Sequence, residues 1–270
     1  MPTALITGAT AGLGAAFADR LALEHHDLVL VARDEARLAA SAEALRSRHG
    51  VEVETLPADL ATDEGRGAVE ARLSDPERPV HVLVNNAGIG LNSSFAQNDI
   101  AEEERLLQLN VRAVMRLTHA VLPQMLERGK GDVINVSSVS GFGPAQPGAS
   151  YSATKAYVIN LSESVGYACR EHGVRVMALC PGYTRTEFHQ RAGINTLPIP
   201  DRMWLRAEDV VREGLRDLRR GKLVSIPDVR YKLMVAGMRH LPHGLVNRLT
   251  RDVRGRISRD RGKDTAPDDA

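Results

Sequence analysis

The chain has 270 residues, 43% of them hydrophobic and 26% charged, with a formal net charge of +1. That length and balance predict a globular chain with a sizeable core, and the near-neutral charge offers no electrostatic footprint for nucleic acid. Cys169 and Cys180 lie outside any CxxC or Cys/His zinc spacing, and the pair His25-His26 has no third ligand nearby, so neither a metal site nor a disulfide framework is expected.

The first residues, "MPTALITGAT", lack the basic start and long apolar run of a signal peptide. No stretch reaches the ~18 apolar residues of a membrane span. A reduced, cytoplasmic setting is the expectation.

Short apolar runs then alternate with helical patterns. "TALIT" (3–7) predicts a strand, "GLGAAFADRLALEHH" (12–26) a helix, and "DLVLVA" (27–32) a second strand. The second helix covers 34–50, with Asp34 as its N-cap and Gly50 as its C-cap signal. "VEVETLPA" (51–58) alternates as a strand, and "DEGRGAVEARLS" turns helical. "PVHVLVNN" (79–86) is the fourth strand, followed by a long helix over about 100–128. "GDVINVSS" (131–138), a helix over 148–173, "VRVMALCPG" (174–182) and "GKLVSIP" (221–227) complete the pattern.

Continuous β-branched runs between helices predict a parallel sheet covered on both faces, hence an α/β doubly wound fold. No linker or internal repeat divides the chain, so 1–262 reads as a single domain. Residues 185–206, with Pro198 and Pro200, read as a lid over a substrate. The last residues, 263–270, have a disordered composition, and the basic stretch 251–263 reads as a solvated tail.

"TGATAGLG" (7–14) links the first strand to the first helix. Gly8, Gly12 and Gly14 leave room for backbone to approach a pyrophosphate, and the helix start offers N–H groups to the anion. The spacing G-x-x-x-G-x-G departs from the G-x-G-x-x-G of the long dehydrogenase fingerprint. After the second strand, "VARDEARL" presents Arg33 first, a fork suited to a 2′-phosphate, while Asp34 fits a helix cap. NADP is therefore expected over NAD. Asp59 could accept from an adenine amino group or cap a helix; both readings stand. Asn86, Ala87 and Gly88 of "NNAG" keep bulk away from a cofactor crossing the strand ends.

"YSATK" (151–155) puts Tyr151 and Lys155 one helical turn apart on one face. A tyrosine titrates near 10, and acid–base work near neutrality asks for a lowering of roughly 3 pH units, about 4 kcal/mol. An ammonium ~4 Å away at an effective dielectric of ~20 supplies about that much. Ser138 at a strand end can donate to a substrate oxygen, with Ser137 and Ser140 as rivals for the role.

Taken in order, "TGATAGLG", "NNAG", Asn110 in "LQLNV", Ser138 in "INVSSVSG", "YSATK" and "PGYTRT" (181–186) resemble the short-chain dehydrogenase/reductase family. The resemblance covers roughly residues 3–186. The segment from 221 onward resembles a branch of bacterial reductases related to ketosteroid and long-chain ketoacyl reductases. The resemblance implies a Rossmann-type sheet of about seven parallel strands and a homodimer or homotetramer. It implies the set Asn110, Ser138, Tyr151 and Lys155 for catalysis, with Asn110 holding a water that links Lys155 to solvent. It extends the cofactor contacts to Leu13, Leu60, Pro181, Gly182 and Thr184, and has Tyr151 and Lys155 bond the nicotinamide ribose. The implied activity is NADP-dependent interconversion of a carbonyl and a secondary alcohol.

A non-catalytic NADP-binding regulator is the rival class, and a sugar-nucleotide epimerase or dehydratase a further one. Phe142, Tyr183, Phe188 and Trp204 could line an apolar pocket, which suits a lipophilic ketone. Residues 228–250, with Met234, Met238, Leu241, Leu245 and Val246, read as a helix over the cleft or a subunit face rather than a membrane-surface helix.

Overall fold

Seven strands, buried through the centre and more open at the β3 edge, form one parallel sheet in the order β3-β2-β1-β4-β5-β6-β7 in the computed structural model. The structure describes residues 1–91, 93–144, 148–193 and 199–240, without the side chains of Arg191 and His240. Pro198, Leu241, Leu245, Val246, the basic stretch and the tail lie outside the described residues. The strands are β1 (Thr3–Thr7), β2 (Asp27–Ala32), β3 (Val53–Pro57), β4 (Val82–Asn85), β5 (Gly131–Val136), β6 (Val174–Leu179) and β7 (Val224–Ser225).

Alternate strand residues feed two cores, as the pleat requires. Ala4, Ile6, Leu28, Leu30, Ile134 and Leu179 face one side. There they meet Phe17 and Leu21 of α1 (Gly12–Leu23), Leu38 and Ala42 of α2 (Glu35–His49), and Val211 and Leu215 of α8 (Ala207–Arg219). Leu5, Val29, Val31, Leu83 and Val133 face the other. They pack on Val69 and Leu73 of α3 (Asp63–Leu73) and on Leu117, Val121 and Met125 of α5 (Val114–Glu127).

Between β4 and β5 the expected long helix is three segments. α4 (Ile100–Leu107) and α5 are joined by a π-helical turn, Gln108–Ala113. α6 (Ala149–Cys169) carries Tyr151 and Lys155. The caps fall where expected: Asp34 accepts from the Arg37 N–H, and Gly50 adopts a left-handed φ of 66°.

Two regions differ from expectation. α8 was not foreseen, although Val210, Val211, Gly214, Leu215 and Leu218 form a helical stripe buried on β6 and β7; charged residues between them mask the apolar signal. The lid segment is partly regular, with α7 (Glu187–Arg191), a 3-10 turn at Asp201–Met203, and a bridge pairing Thr184 with Leu205. α9 (Val229–His240) packs over the loop after β5. Its Tyr231 is fully buried, donates to the Met203 carbonyl (2.6 Å) and accepts from the Tyr183 N–H (3.0 Å). No described helix is long and apolar enough to cross a membrane.

Candidate active site

The chain crosses from one side of the sheet to the other between β1 and β4, and the C-terminal ends of these strands form the crevice where doubly wound sheets bind ligands. Here the glycine turn and "NNAG" are sewn together. Thr7 Oγ1 accepts from the N–H groups of Asn86 (2.9 Å) and Ala87 (3.0 Å). Asn86 Nδ2 donates back to the carbonyls of Thr7 (2.9 Å) and Gly8 (3.2 Å). A Cβ on Gly14 would sit 2.1 Å from the Gly8 oxygen, so the glycine lets helix and strand touch. Gly8 and Gly12 adopt left-handed φ values of 64° and 54°. Thr7 was not singled out from sequence; only its place before the turn could have marked it.

On the other side of the crevice α6 brings up the tyrosine and lysine. The Tyr151 phenol lies near the Ser138 hydroxyl, which acts to lower its pKa. Ser137 is committed elsewhere, donating to the Lys155 carbonyl at 2.7 Å, and the buried Ser140 Oγ has no partner. This arrangement selects Ser138 of the three as the tyrosine's neighbour. Lys155 is buried, donates from Nζ to the Val136 carbonyl (2.9 Å), and lies 5.6 Å from the Tyr151 ring centre.

The electrostatic expectation needs correcting. Burial pushes the Tyr151 phenol up to about 12, against a smaller lowering by Ser138, and pushes the Lys155 ammonium down to about 8. Removal from water outweighs the lowering by Ser138, so the protein alone leaves the phenol firmly protonated.

Asn110, fully buried in the π-helical turn, accepts from the Ile89 N–H (3.0 Å) and donates to the Ile89 carbonyl (2.8 Å) and Thr154 Oγ1 (3.3 Å). Its carboxamide clamps the chain after β4 to α6. A Cβ on Gly88 would lie 3.2 Å from Asn110 Oδ1 and 3.6 Å from Lys155 Nζ, so these three residues meet. Thr154, missed from sequence, is the second partner of this clamp.

Arg33 is exposed and makes no hydrogen bond or ion pair among the described residues, though its charge helps lower the Asp59 pKa. Asp59 accepts from Arg105 Nη2 (2.8 Å) and from the Ala61 N–H (2.9 Å). The cap of α3 is Thr62, which settles the capping alternative against Asp59. Leu13 and Leu60 bury their side chains in the two cores, and the Leu60 carbonyl accepts from Arg66 Nη1 (2.9 Å). The Pro181 carbonyl accepts from the Val139 N–H (3.1 Å), and Thr184 Oγ1 donates to the Gly182 carbonyl (3.0 Å). Gly182 is required because a Cβ there would run into the Tyr231 ring.

Of the four expected pocket residues, Phe188 lies tilted against Tyr151 with ring centres 5.7 Å apart, and Tyr183 and Trp204 cluster with His189 at 5.7 and 5.1 Å. Phe142 lies instead under the Arg239 guanidinium at 4.8 Å, shielded by α9.

The crevice fits a dinucleotide. α2, α3, α4 and α7 all have side-chain caps, from Asp34, Thr62, Asp99 and Thr186. α1 has no side-chain cap at Ala11, as α6 and α8 have none at Gly148 and Arg206; what sets its start apart is the glycine turn leading into it, beside which first-turn N–H groups can meet an outside acceptor. The exposed guanidinium of Arg33, without a partner among the described residues, stands at the end of β2. No cluster of His, Cys, Asp and Glu among the described residues could hold a metal.

Such a crevice, with a hydroxyl–phenol–ammonium group at the strand ends, defines a dinucleotide-dependent oxidoreductase of the Rossmann type. The comparisons agree. The family model "short chain dehydrogenase" matches residues 2–195, and the chain belongs to that family. The ketoacyl reductase HetN of a Nostoc strain is 34% identical over 203 residues, covering 72% of this chain and 70% of its own. A short-chain dehydrogenase from Sphingobium yanoikuyae, solved with NADPH, superposes with a TM-score of 0.81 at 38% identity, over 100% of this chain and 98% of its own. The bulky-bulky ketone specific alcohol dehydrogenase of Comamonas testosteroni gives 0.76 at 34% identity, over 96% of this chain and 94% of its own.

Proposed function

We propose that the protein is an NADPH-dependent reductase of lipophilic ketones, with Tyr151 as proton donor. The gathering of the Ser138 hydroxyl, the Tyr151 phenol and the buried Lys155 ammonium, whose Nζ lies 5.6 Å from the tyrosine ring centre, carries this reading. When bound, NADPH supplies the hydride. Ser138 donates a hydrogen bond to the substrate carbonyl oxygen and polarises it. The Tyr151 hydroxyl delivers the proton that this oxygen needs as it becomes an alcohol. A phenol held near 12 is protonated at neutral pH and so has a proton to give to the substrate oxygen.

Lys155 steadies the phenolate left behind, and Asn110 and Thr154 fix the helix turn that bears both residues. NADP over NAD is supported by Arg33, whose unpaired fork suits a 2′-phosphate. Gly8, Gly12, Gly14 and the α1 start would take the pyrophosphate, with Asn86, Ala87 and Gly88 beneath the nicotinamide end. Asp59 and the main chain at Leu60 would face the adenine. Phe188 over Tyr151 supports a lipophilic substrate, in line with the ketone named for the Comamonas enzyme. Exposed Leu107, Met115, Tyr157 and Tyr167 on α4, α5 and α6 support a homodimer or homotetramer, which gel filtration with light scattering would reveal. A cytoplasmic location goes with this reading.

Tyr151→Phe is expected to bind NADPH normally, by nicotinamide fluorescence, and to lose about 10²- to 10⁴-fold in kcat with an accepted ketone. Near-normal turnover would defeat the assignment. Arg33→Ala is expected to weaken NADPH about tenfold or more while sparing NADH. An equal loss for both would remove the 2′-phosphate role.

A further inference from the structure

The starts of the strands, at the end of the sheet away from the crevice, border a cavity of about 170 Å³. Pro2, His26, His81, Lys130, Asp132 and Arg175 line it. They come from separate places: the turn after α1, the residue before β4, the entry to β5, and β6. Strands of this length, at ~3.3 Å per residue, put the cavity roughly 16–20 Å from the glycine turn.

The polar groups in it are mostly donors. The Thr3 N–H donates to His81 Nδ1 at 3.0 Å. A ring nitrogen that accepts carries no proton, so the neutral His81 ring keeps its proton on Nε2, which is left to donate. His26 Nδ1 is buried without a partner. The turn that brings it there includes His25 at a left-handed φ of 59°, uncommon for any residue with a side chain. Lys130 is exposed, and its ammonium has no partner among the described residues. The one carboxylate in the lining, Asp132, is already neutralised. Arg175 forks onto it at 2.6 Å from Nε to Oδ1 and 2.8 Å from Nη2 to Oδ2, which leaves Nη1 over.

The local field is positive. Burial first, and then the charges of Arg128, His26, Lys130 and the chain's first ammonium, hold the His81 imidazole below its ordinary 6.5. All four of these groups are cations. A metal ion is the wrong occupant for such a place, and no cluster among the described residues could hold one.

Size and direction select the ligand. Pockets for drug-sized molecules run to about 300–1,000 Å³, so this cavity suits a small ion. Its donors converge from several sides. An acceptor with four oxygens in a tetrahedron meets them better than a planar carboxylate or a chloride ion.

We infer that this cavity is a binding site for a free tetrahedral oxyanion, inorganic phosphate above all, held by His26, His81, Lys130 and Arg175. The ion ties the entries of β4, β5 and β6 to the turn before β2, an arrangement that exists only in the folded chain. It therefore stabilises the fold by mass action, to a degree set by the phosphate concentration. It lies at the opposite end of the sheet from Tyr151 and takes no part in proton or hydride transfer.

The test compares potassium phosphate with potassium chloride at equal ionic strength and pH 7, on the full chain. Phosphate at about ten times its dissociation constant should raise Tm by about 2–4 °C, and chloride should not. The His81 ring, followed by NMR, should titrate about 0.5 pH unit or more higher with phosphate present, because a neighbouring anion favours the imidazolium. Lys130→Ala should weaken phosphate about tenfold by calorimetry, and Lys130→Arg should restore most of the loss. His26→Ala should weaken it about threefold to tenfold. Glycerol 3-phosphate, which exceeds the cavity, should bind more weakly than phosphate.

Equal stabilisation by phosphate and chloride would reduce the cavity to a screened basic patch and overturn the inference. Phosphate binding that survives both Lys130→Ala and His26→Ala, or that leaves the His81 signals unmoved, would overturn it too, since the ion would then sit elsewhere, as at the glycine turn. Tighter binding of glycerol 3-phosphate would overturn the free ion as the ligand.

Discussion

The two walls of the crevice are built by opposite means. On the β1–β4 side, main chain and short side chains meet at hydrogen-bond distance: Thr7 holds Asn86 and Ala87, and Asn86 holds the glycine turn. On the lid side, rings of Phe188, His189, Tyr183 and Trp204 touch at 5.1–5.8 Å, and the polar tie at its start is the half-exposed Arg37–Glu187 pair. The first wall has one geometry that its backbone permits. The second is a set of contacts between side chains, which can slide, reopen and differ between relatives without disturbing the sheet. A cofactor that is always the same suits the first construction; a lid that must admit a substrate suits the second.

The sharpest way to break the first wall is a single methyl group. Gly14→Ala places a Cβ 2.1 Å from the Gly8 oxygen and 2.6 Å from Asn86 Nδ2, and the nearest obstacle is backbone that cannot swing aside. The expected loss is about 3 kcal/mol or more of unfolding free energy, measured by urea denaturation, with cofactor binding lost as well. A variant with wild-type stability would show that the turn yields, and the contrast between the walls would lose its basis.

A smaller effect tests the buried ammonium between the walls. Lys155 titrates at about 8 when folded, against 10.5 for the ordinary side chain. Between these values the unfolded chain binds more protons than the folded one, so stability from this group rises with pH. It is fully present only above the unfolded value and is lost as pH falls toward 8. The raised pKa of Tyr151 acts in the opposite sense, between 10 and about 12, so the useful window ends at 10. The wild type should gain about 2 kcal/mol relative to Lys155→Met between pH 8 and pH 10. The comparison with the variant cancels the groups that do not interact with Lys155; Cys180, which does, is held protonated by burial up to about 12 and so stays out of this window in the folded chain. A difference that stays flat would mean that the ammonium is solvated.

The same contrast explains what could be read from residues alone. The alternation of strands and helices, the glycine turn, the Asp34 and Gly50 caps and the pairing of Tyr151 with Lys155 are local features, each set by a few adjacent residues. They fall where the sequence puts them. What escaped depends on contacts across the chain. Thr7 matters because β4 ends beside it, Thr154 because Asn110 reaches it, and Tyr231 because Gly182 leaves it space. α8 was hidden by its charged residues, and the Asp59 alternative was closed only by the hydroxyl of Thr62. The sign of the tyrosine's shift also needed the fold, since helical spacing measures the approach of a charge but not the loss of water around it.

The mildest perturbation addresses the second wall. Phe188 contributes one ring over Tyr151, and a tilted aromatic contact of this kind is worth about 0.5–1.5 kcal/mol beyond the area it covers. Phe188→Ala should therefore raise KM for a bulky aryl ketone by up to about tenfold and change kcat less, because the proton donor and its Ser138 partner are untouched. A small aliphatic ketone, which never reaches that ring, should be almost unaffected. Stability should fall only slightly, since the ring is partly solvent-exposed and its neighbours belong to the lid. If kcat collapsed for both ketones while KM held steady, Phe188 would be positioning Tyr151 rather than receiving substrate. The lid side would then share the fixed geometry of the glycine side, and the division of labour drawn between the two walls would be wrong.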